Sequence, residues 1–231
     1  MIQTTIIVPI VVDTPFLLRL TNECLRNINR TVPRSTTQII LVDNGSLLAH
    51  NYQAETIIRN QRNEGFSRAI NQGIAASKGE FICQVNNDVM VIDNWLPPLV
   101  GALNADLQIG AIRPLTQTEV GFESNSREFT FDQLDFHGFC FAMRRDIFDK
   151  VGFFDERFFA YCEDVDMWVR LRAQGFKLAK ALGSRVLHLG GQTSTVIDAK
   201  AALKHSREMF RGKHGFDVFD KAWYSSSVLT L

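Results

Sequence analysis

Two hydrophobic patterns alternate along the amino-terminal third of the chain. Ile6 to Val12 is an unbroken apolar run, Phe16 to Ile28 carries Phe16, Leu17, Leu20, Cys24, Leu25 and Ile28 at helical spacing, and Gln38 to Val42 reads as a second buried strand. A strand covered on both faces reads as continuous apolar sequence, whereas a helix with one buried side places its apolar residues three and four apart. The alternation continues with a short strand at Thr56 to Arg59, a helix from Gly65 to Ser77 that stops at Gly79, and a strand from Glu80 to Val85. Repeated units of this kind predict an α/β fold. Its core is a Rossmann-like, mostly parallel sheet flanked by helices and joined by right-handed crossovers.

Downstream, the pattern predicts a helix over Trp95 to Asn104, a strand over Gly110 to Pro114 and a polar loop or hairpin excursion over Thr116 to Phe136. A strand over Phe139 to Met143 and helices over Arg145 to Val151 and Asp164 to Gln174 follow. Lys177 to Leu182 and Arg185 to Leu189 read as two short extended pieces. The last helix, Asp198 to Lys213, has Gly215 as its stop. A length of 231 residues suits a single α/β domain. Twenty-five basic and 25 acidic residues cancel, so no overall field recommends nucleic acid or an anionic membrane as a partner. Cys24, Cys83, Cys140 and Cys162 lie far apart without a CxxC pair, which reads as buried free thiols rather than a zinc or redox site. No basic region and cleavage site mark a secretion signal, and no apolar run approaches the roughly 20 residues that span a bilayer. Cytoplasmic localisation is the expectation, with peripheral membrane contact possible and no transmembrane segment. The pattern carries no signal for an oligomeric state.

Two acidic segments stand out. Gly79 to Val89 is an apolar strand that runs directly into Asn86-Asn87-Asp88. The carboxyl end of a strand in an open α/β sheet is where ligands bind, and Asp88 there is placed to hold a divalent metal beside a phosphate; a hydrogen-bonded turn is the alternative use of the same residues. In the second segment, GFFDERFFAYCEDVDMWVRLRAQG, the acids Glu163, Asp164 and Asp166 follow a cluster of aromatics. A carboxylate held in such partly dry surroundings suits a general base, whereas acids at a helix start also serve as caps. Asp166 pairs more naturally with Arg170, one turn on, than with a substrate.

Taken in order, VDNGS, NEGFSRAINQG, NND, the acidic segment and HLGG resemble the family 2 glycosyltransferases of GT-A fold, most closely the rhamnosyltransferase-like branch. The resemblance covers nearly the whole chain. It implies an inverting transfer of a sugar from a nucleotide-sugar donor, UDP- or dTDP-linked, to a hydroxyl acceptor in glycan or polysaccharide synthesis. Residues 1–115 would form the nucleotide-binding half and 116–231 the acceptor and catalytic-base half. It places Pro9 and Asp43 at the nucleobase, Asn63 and Gly65 along the nucleotide cleft, and Asn86 and Asn87 beside the donor. Asp88 and His188 are implied as ligands of Mn2+ or Mg2+, and Asp164 as catalytic base. Glu163 and Trp168 are implied as acceptor contacts. Asn86 departs from the family's all-acid metal motif, which lowers the negative charge of the site. The alternative readings are Asp43 as a turn residue, Asn63 as a helix-cap neighbour, His188 as a structural histidine and Trp168 as core. Two rivals share the fold: a nucleotide-sugar-forming nucleotidyltransferase, and a non-catalytic carbohydrate-binding or scaffold protein. The first would carry a Gly-rich basic loop after the first strand, where Val11 to Pro15 has neither Gly nor Lys.

Overall fold

A computed structural model describes residues 1–48, 50–119, 129–131, 136–192 and 197–218. The first four strands are β1 (Thr4–Ile10), β2 (Thr37–Asn44), β3 (Thr56–Asn60) and β4 (Phe81–Val85), with helices α1 (Pro15–Thr31) and α2 (Phe66–Ala76) between them. They pair in parallel in the order β3-β2-β1-β4. The chain adds β2 and β3 to one side of β1, then returns to place β4 on the other. That reversal opens a crevice at the carboxyl ends of β1 and β4. Pro9, which has no N–H to give, lies beyond the last β1–β4 pair, Ile7 with Gln84, and stands opposite Val42 in the β1–β2 register.

β5 (Val89–Val91), α3 (Leu96–Ala105), β6 (Ile109–Leu115), β7 (Phe129–Phe131) and β8 (Cys140–Arg144) come next, then α4 (Asp146–Val151), α5 (Glu163–Ala173), β9 (Lys177–His188) and α6 (Ala199–His214). The parallel character belongs to the first four strands and to the β6–β9 pair, while β8 runs antiparallel between β4 and β6. Strand residues alternate between two cores. Ile6, Ile39, Phe81 and Cys140 pack under α1 and α3, while Ile7, Ile40, Ile82 and Phe141 pack under α2, α4 and α5. α1 is capped by Thr14, whose Oγ1 accepts from Leu17 N at 3.2 Å, with Pro15 in the first turn. All four cysteines are buried free thiols. No described helix is long and apolar enough to cross a membrane.

Two sequence expectations need correction. The pieces Lys177 to Leu182 and Arg185 to Leu189 are one strand, because the break between them is a bulge: β9's partners jump from Ala181 opposite Pro114 to Arg185 opposite Leu115. The hydroxyl of Ser184 within the bulge is buried and donates to Trp95 O. The three-residue β5 was not anticipated, since so short a run gains its definition only from pairing with distant β9. Of the polar excursion, residues 120–128 and 132–135 lie outside the described residues.

Candidate active site

Where β4 ends, the chain turns through Asn86-Asn87-Asp88, with Val89 N donating to Asn86 O at 3.1 Å. The Asn87 amide is buried and donates to Thr21 Oγ1 at 2.9 Å, which anchors the turn on α1. β5 then pairs with the end of β9, Val89 opposite His188, and Leu189 N donates to Asp88 O. This pairing brings Asp88 and His188, a hundred residues apart, to 3.5 Å between Oδ1 and Nε2. Asp88 is 3% exposed, and its Oδ1 receives no hydrogen bond. A buried acceptor without a donor is costly unless a ligand completes it. The His188 ring stacks on Phe139 at 4.4 Å between centroids.

The acidic segment approaches from the other side. Tyr161 and Cys162 are both left-handed, at φ 66° and 64°, a conformation that costs a non-glycine residue about 1–3 kcal/mol and persists only where neighbours enforce it. Here Ser67 Oγ donates to Phe158 O, Phe66 N to Phe159 O and Ser206 Oγ to Ala160 O. The turn delivers Glu163 and Asp164 as the first residues of α5. No side chain caps this helix at the preceding residue, so the acids serve its first turn through the helix dipole rather than as an N-cap.

Asp164 Oδ1 accepts from Val165 N at 2.8 Å and Oδ2 from Gly138 N at 3.1 Å. A Cβ on Gly138 would stand 2.7 Å from Asp164 Cβ, so only glycine lets that N–H reach the carboxylate. Burial raises the Asp164 carboxyl above its ordinary value, although these two N–H groups and the nearby His137 pull the other way. Glu163 is buried, its Oε2 has no hydrogen-bond partner, and burial followed by the neighbouring Asp164 charge pushes its carboxyl up. Asp166, fully buried, takes Arg170 Nε at 2.9 Å as expected, and also Lys213 Nζ at 2.6 Å and His214 Nε2 at 2.8 Å from α6. Burial alone would push its carboxyl up, but hydrogen bonds from His214 and Lys213 and the Arg170 charge outweigh that and hold it below its ordinary value.

These elements enclose a cleft with two chambers. The larger, about 650 Å³, is lined by Asp88, His188, Glu163 and Asp164, with Arg113, Thr116 and Thr118 along another wall. The smaller, about 110 Å³, is lined by Pro9, Asn63, Asn86 and Asn87. Asn86, Phe66, Ala160 and Ile197 border both. Three anticipated residues fall outside this lining. Asp43 accepts from Ser46 N at 3.1 Å and from Arg59 Nη1 at 2.9 Å, as a turn residue does. Its neighbour Asn44 borders the smaller chamber, donating to Asn63 Oδ1 and Gly65 O and accepting from Asn60 Nδ2 and Glu64 N. Gly65, at φ 93°, is required by Phe159, which a Cβ would meet at 2.9 Å. Trp168 is 2% exposed and packs edge-on against Phe136 and Phe141, so it belongs to the core. Asn44 and Gly138 went unread in the sequence, the first inside a motif already noted and the second with no local signal.

Among the described residues no group of three or more His, Cys, Asp or Glu side chains is placed to hold a metal ion. Among the described residues, a cation here would be held by Asp88 and His188, with the rest of its shell open to a bound molecule or water.

Residues 5–161 match the family model "Glycosyl transferase family 2". The chain belongs to glycosyl transferase family 2. A region of 149 residues is 28% identical to the O-antigen biosynthesis protein RfbC of Myxococcus xanthus, covering 52% of this chain and 12% of that protein. A stretch of 51 residues is 45% identical to the N-acetylglucosaminyl-diphospho-decaprenol L-rhamnosyltransferase of Mycobacterium tuberculosis, 22% of this chain and 17% of that one. The chain thus matches less than a fifth of the length of either relative. Among solved structures, GalNAc-T7 with UDP, GalNAc and Mn2+ superposes with a TM-score of 0.69 at 19% identity, over 81% of this chain and 44% of that one. The fold of this family 2 member is of the GT-A type.

Proposed function

We propose that this chain is an inverting hexosyltransferase that moves a sugar from a UDP- or dTDP-linked donor to a hydroxyl acceptor. Its setting is glycan or polysaccharide synthesis, which the names of its relatives support. One observation carries the reading: Asp88, the Glu163-Asp164 pair and His188, from three separate parts of the chain, line one cavity. The smaller chamber, with Pro9, Asn63, Asn86 and Asn87, takes the nucleotide, so that residues 1–115 serve chiefly the donor. Residues 116–231 serve the acceptor and the base. Asp88 and His188 fit Mn2+ or Mg2+, since a buried carboxylate oxygen without a donor faces an imidazole across 3.5 Å. When bound there, the cation supplies positive charge against the departing diphosphate.

The chain's own residues do the rest. Asp164, fixed by Gly138 N and Val165 N, removes the acceptor hydroxyl proton as that oxygen attacks the anomeric carbon from the face opposite the diphosphate. Its raised affinity for protons makes it a stronger base than a solvent-exposed aspartate. The anomeric configuration inverts without a covalent enzyme intermediate. Glu163, beside it in the cavity, contacts the acceptor. The site of action in this reading is cytoplasmic, with which four buried cysteines outside any disulfide are compatible. A thermal-shift panel of nucleoside diphosphates with and without Mn2+ tests the donor side. UDP or dTDP should stabilise the protein by about 2.7 kcal/mol at a hundredfold excess over Kd; no shift with any nucleoside diphosphate would contradict the reading.

A further inference from the structure

His188 sits at the last position of β9, and its edge is completed by a side chain. β5 covers one edge through the pair Val89 with His188. β6 follows β9 only as far as Leu115 opposite Arg185, and among the described residues no strand continues beside Val186 to His188 on that side. Gln117, two residues beyond the end of β6, fills the place. His188 N donates to Gln117 Oε1 at 3.0 Å, and Gln117 Nε2 donates to His188 O at 3.0 Å. A carboxamide has the donor and acceptor of a peptide group, so this exchange reproduces one rung of an antiparallel ladder.

The turn that carries Gln117 is itself fixed. Arg185 Nη1 donates to Thr116 O and to Glu119 O, both at 2.7 Å. Glu119 Oε2 accepts from Thr116 N at 2.8 Å, and its carboxylate pairs with Arg113. The backbone of His188 is thus held at both its N–H and its carbonyl, its ring stacks on Phe139, and its Nε2 faces Asp88 Oδ1 at 3.5 Å.

We propose that Gln117 is a positioning residue for the cation site: its amide clamps the backbone of His188 and so fixes the imidazole for metal binding. The proposal rests on the reading of His188 as a metal ligand. Because Thr116 and Thr118, on either side of Gln117, line the larger chamber, the clamp also ties one wall of that chamber to the cation site. Partners that orient a ligating histidine commonly account for 10–100-fold in metal affinity.

The test is the affinity for Mn2+ alone, read by water-proton relaxation, for wild type and for Gln117→Ala, Gln117→Glu and His188→Ala. Melting of each variant without metal shows that it is folded. Gln117→Ala should weaken Mn2+ binding by about tenfold while its metal-free melting stays close to wild type. Gln117→Glu keeps the acceptor for His188 N but loses the donor to His188 O, and should weaken binding as well, which decides the matter if the alanine variant does not fold. If His188→Ala binds Mn2+ as tightly as wild type, the metal reading of His188 falls and the proposal with it. If His188→Ala loses affinity but both Gln117 variants keep it, the proposal alone is overturned.

Discussion

The two oxygens of Asp164 are held by backbone N–H groups from different elements, Val165 at the start of α5 and Gly138 at the foot of β8. Gly138→Ala would force a methyl group against the carboxylate, and kcat should fall by about tenfold or more from the displaced base; steady-state kinetics with unchanged donor binding would check this. The raised Asp164 carboxyl also sets a pH dependence. Only the ionised form accepts a proton, so the acid limb of kcat should lie at higher pH than an ordinary aspartate would give. Glu163 bears on stability. Its folded-state affinity for protons exceeds that of the unfolded chain, so its contribution to stability declines as pH rises through the raised value. Glu163→Gln removes the buried charge and should stabilise the protein on the alkaline side by on the order of 1–3 kcal/mol, the gain shrinking on the acid side; thermal melts across pH read this directly. Asp164, Glu163, Asp88 and His188 could be picked out in the sequence because each sits in a short motif, NND, CEDVD or HLGG, at a predicted strand end or helix start. Gly138 could not, because its role depends on a contact 26 residues away.

At the level of elements, α5 is the part that must be held, and Asp166 holds it. Its carboxylate joins α5 to the end of α6 through Lys213 and His214, and Arg170 on the same helix donates to Val151 O. Asp166→Ala leaves these cations facing a buried void, and chemical denaturation should show a loss of about 3–5 kcal/mol. The sign with pH follows from a folded-state value held below the unfolded one. This stabilisation is present at neutral pH and is lost as pH falls through the depressed value. The Arg170 partnership could be read from spacing alone, since residues four apart share a helix face. The α6 cations could not, because nothing local says where a distant helix will pack. β9 shows the same limit. Leu182-Gly183-Ser184 reads as a break in the sequence, yet it is a bulge that pairing with β6 carries through.

Across the whole molecule, a reversal of strand order makes the crevice, and the long return of the chain through β9 brings His188 to it. The first half of the fold was legible because β1, β2 and β4 are largely apolar runs buried along their length and alternate with helices of clear apolar spacing. The mixed second half was less so, since β5 and the direction of β8 are fixed by partners far along the chain. Turnover by wild type and Asp164→Asn tests sugar transfer in the cleft most directly. Purified protein is given UDP- and dTDP-sugars, hydroxyl acceptors and Mn2+, with release of nucleoside diphosphate measured beside its binding. The account predicts metal-dependent release that falls by about 10²–10⁴ in Asp164→Asn, with diphosphate binding retained. Transfer at the wild-type rate by Asp164→Asn, or no binding and no release with any donor, would contradict it.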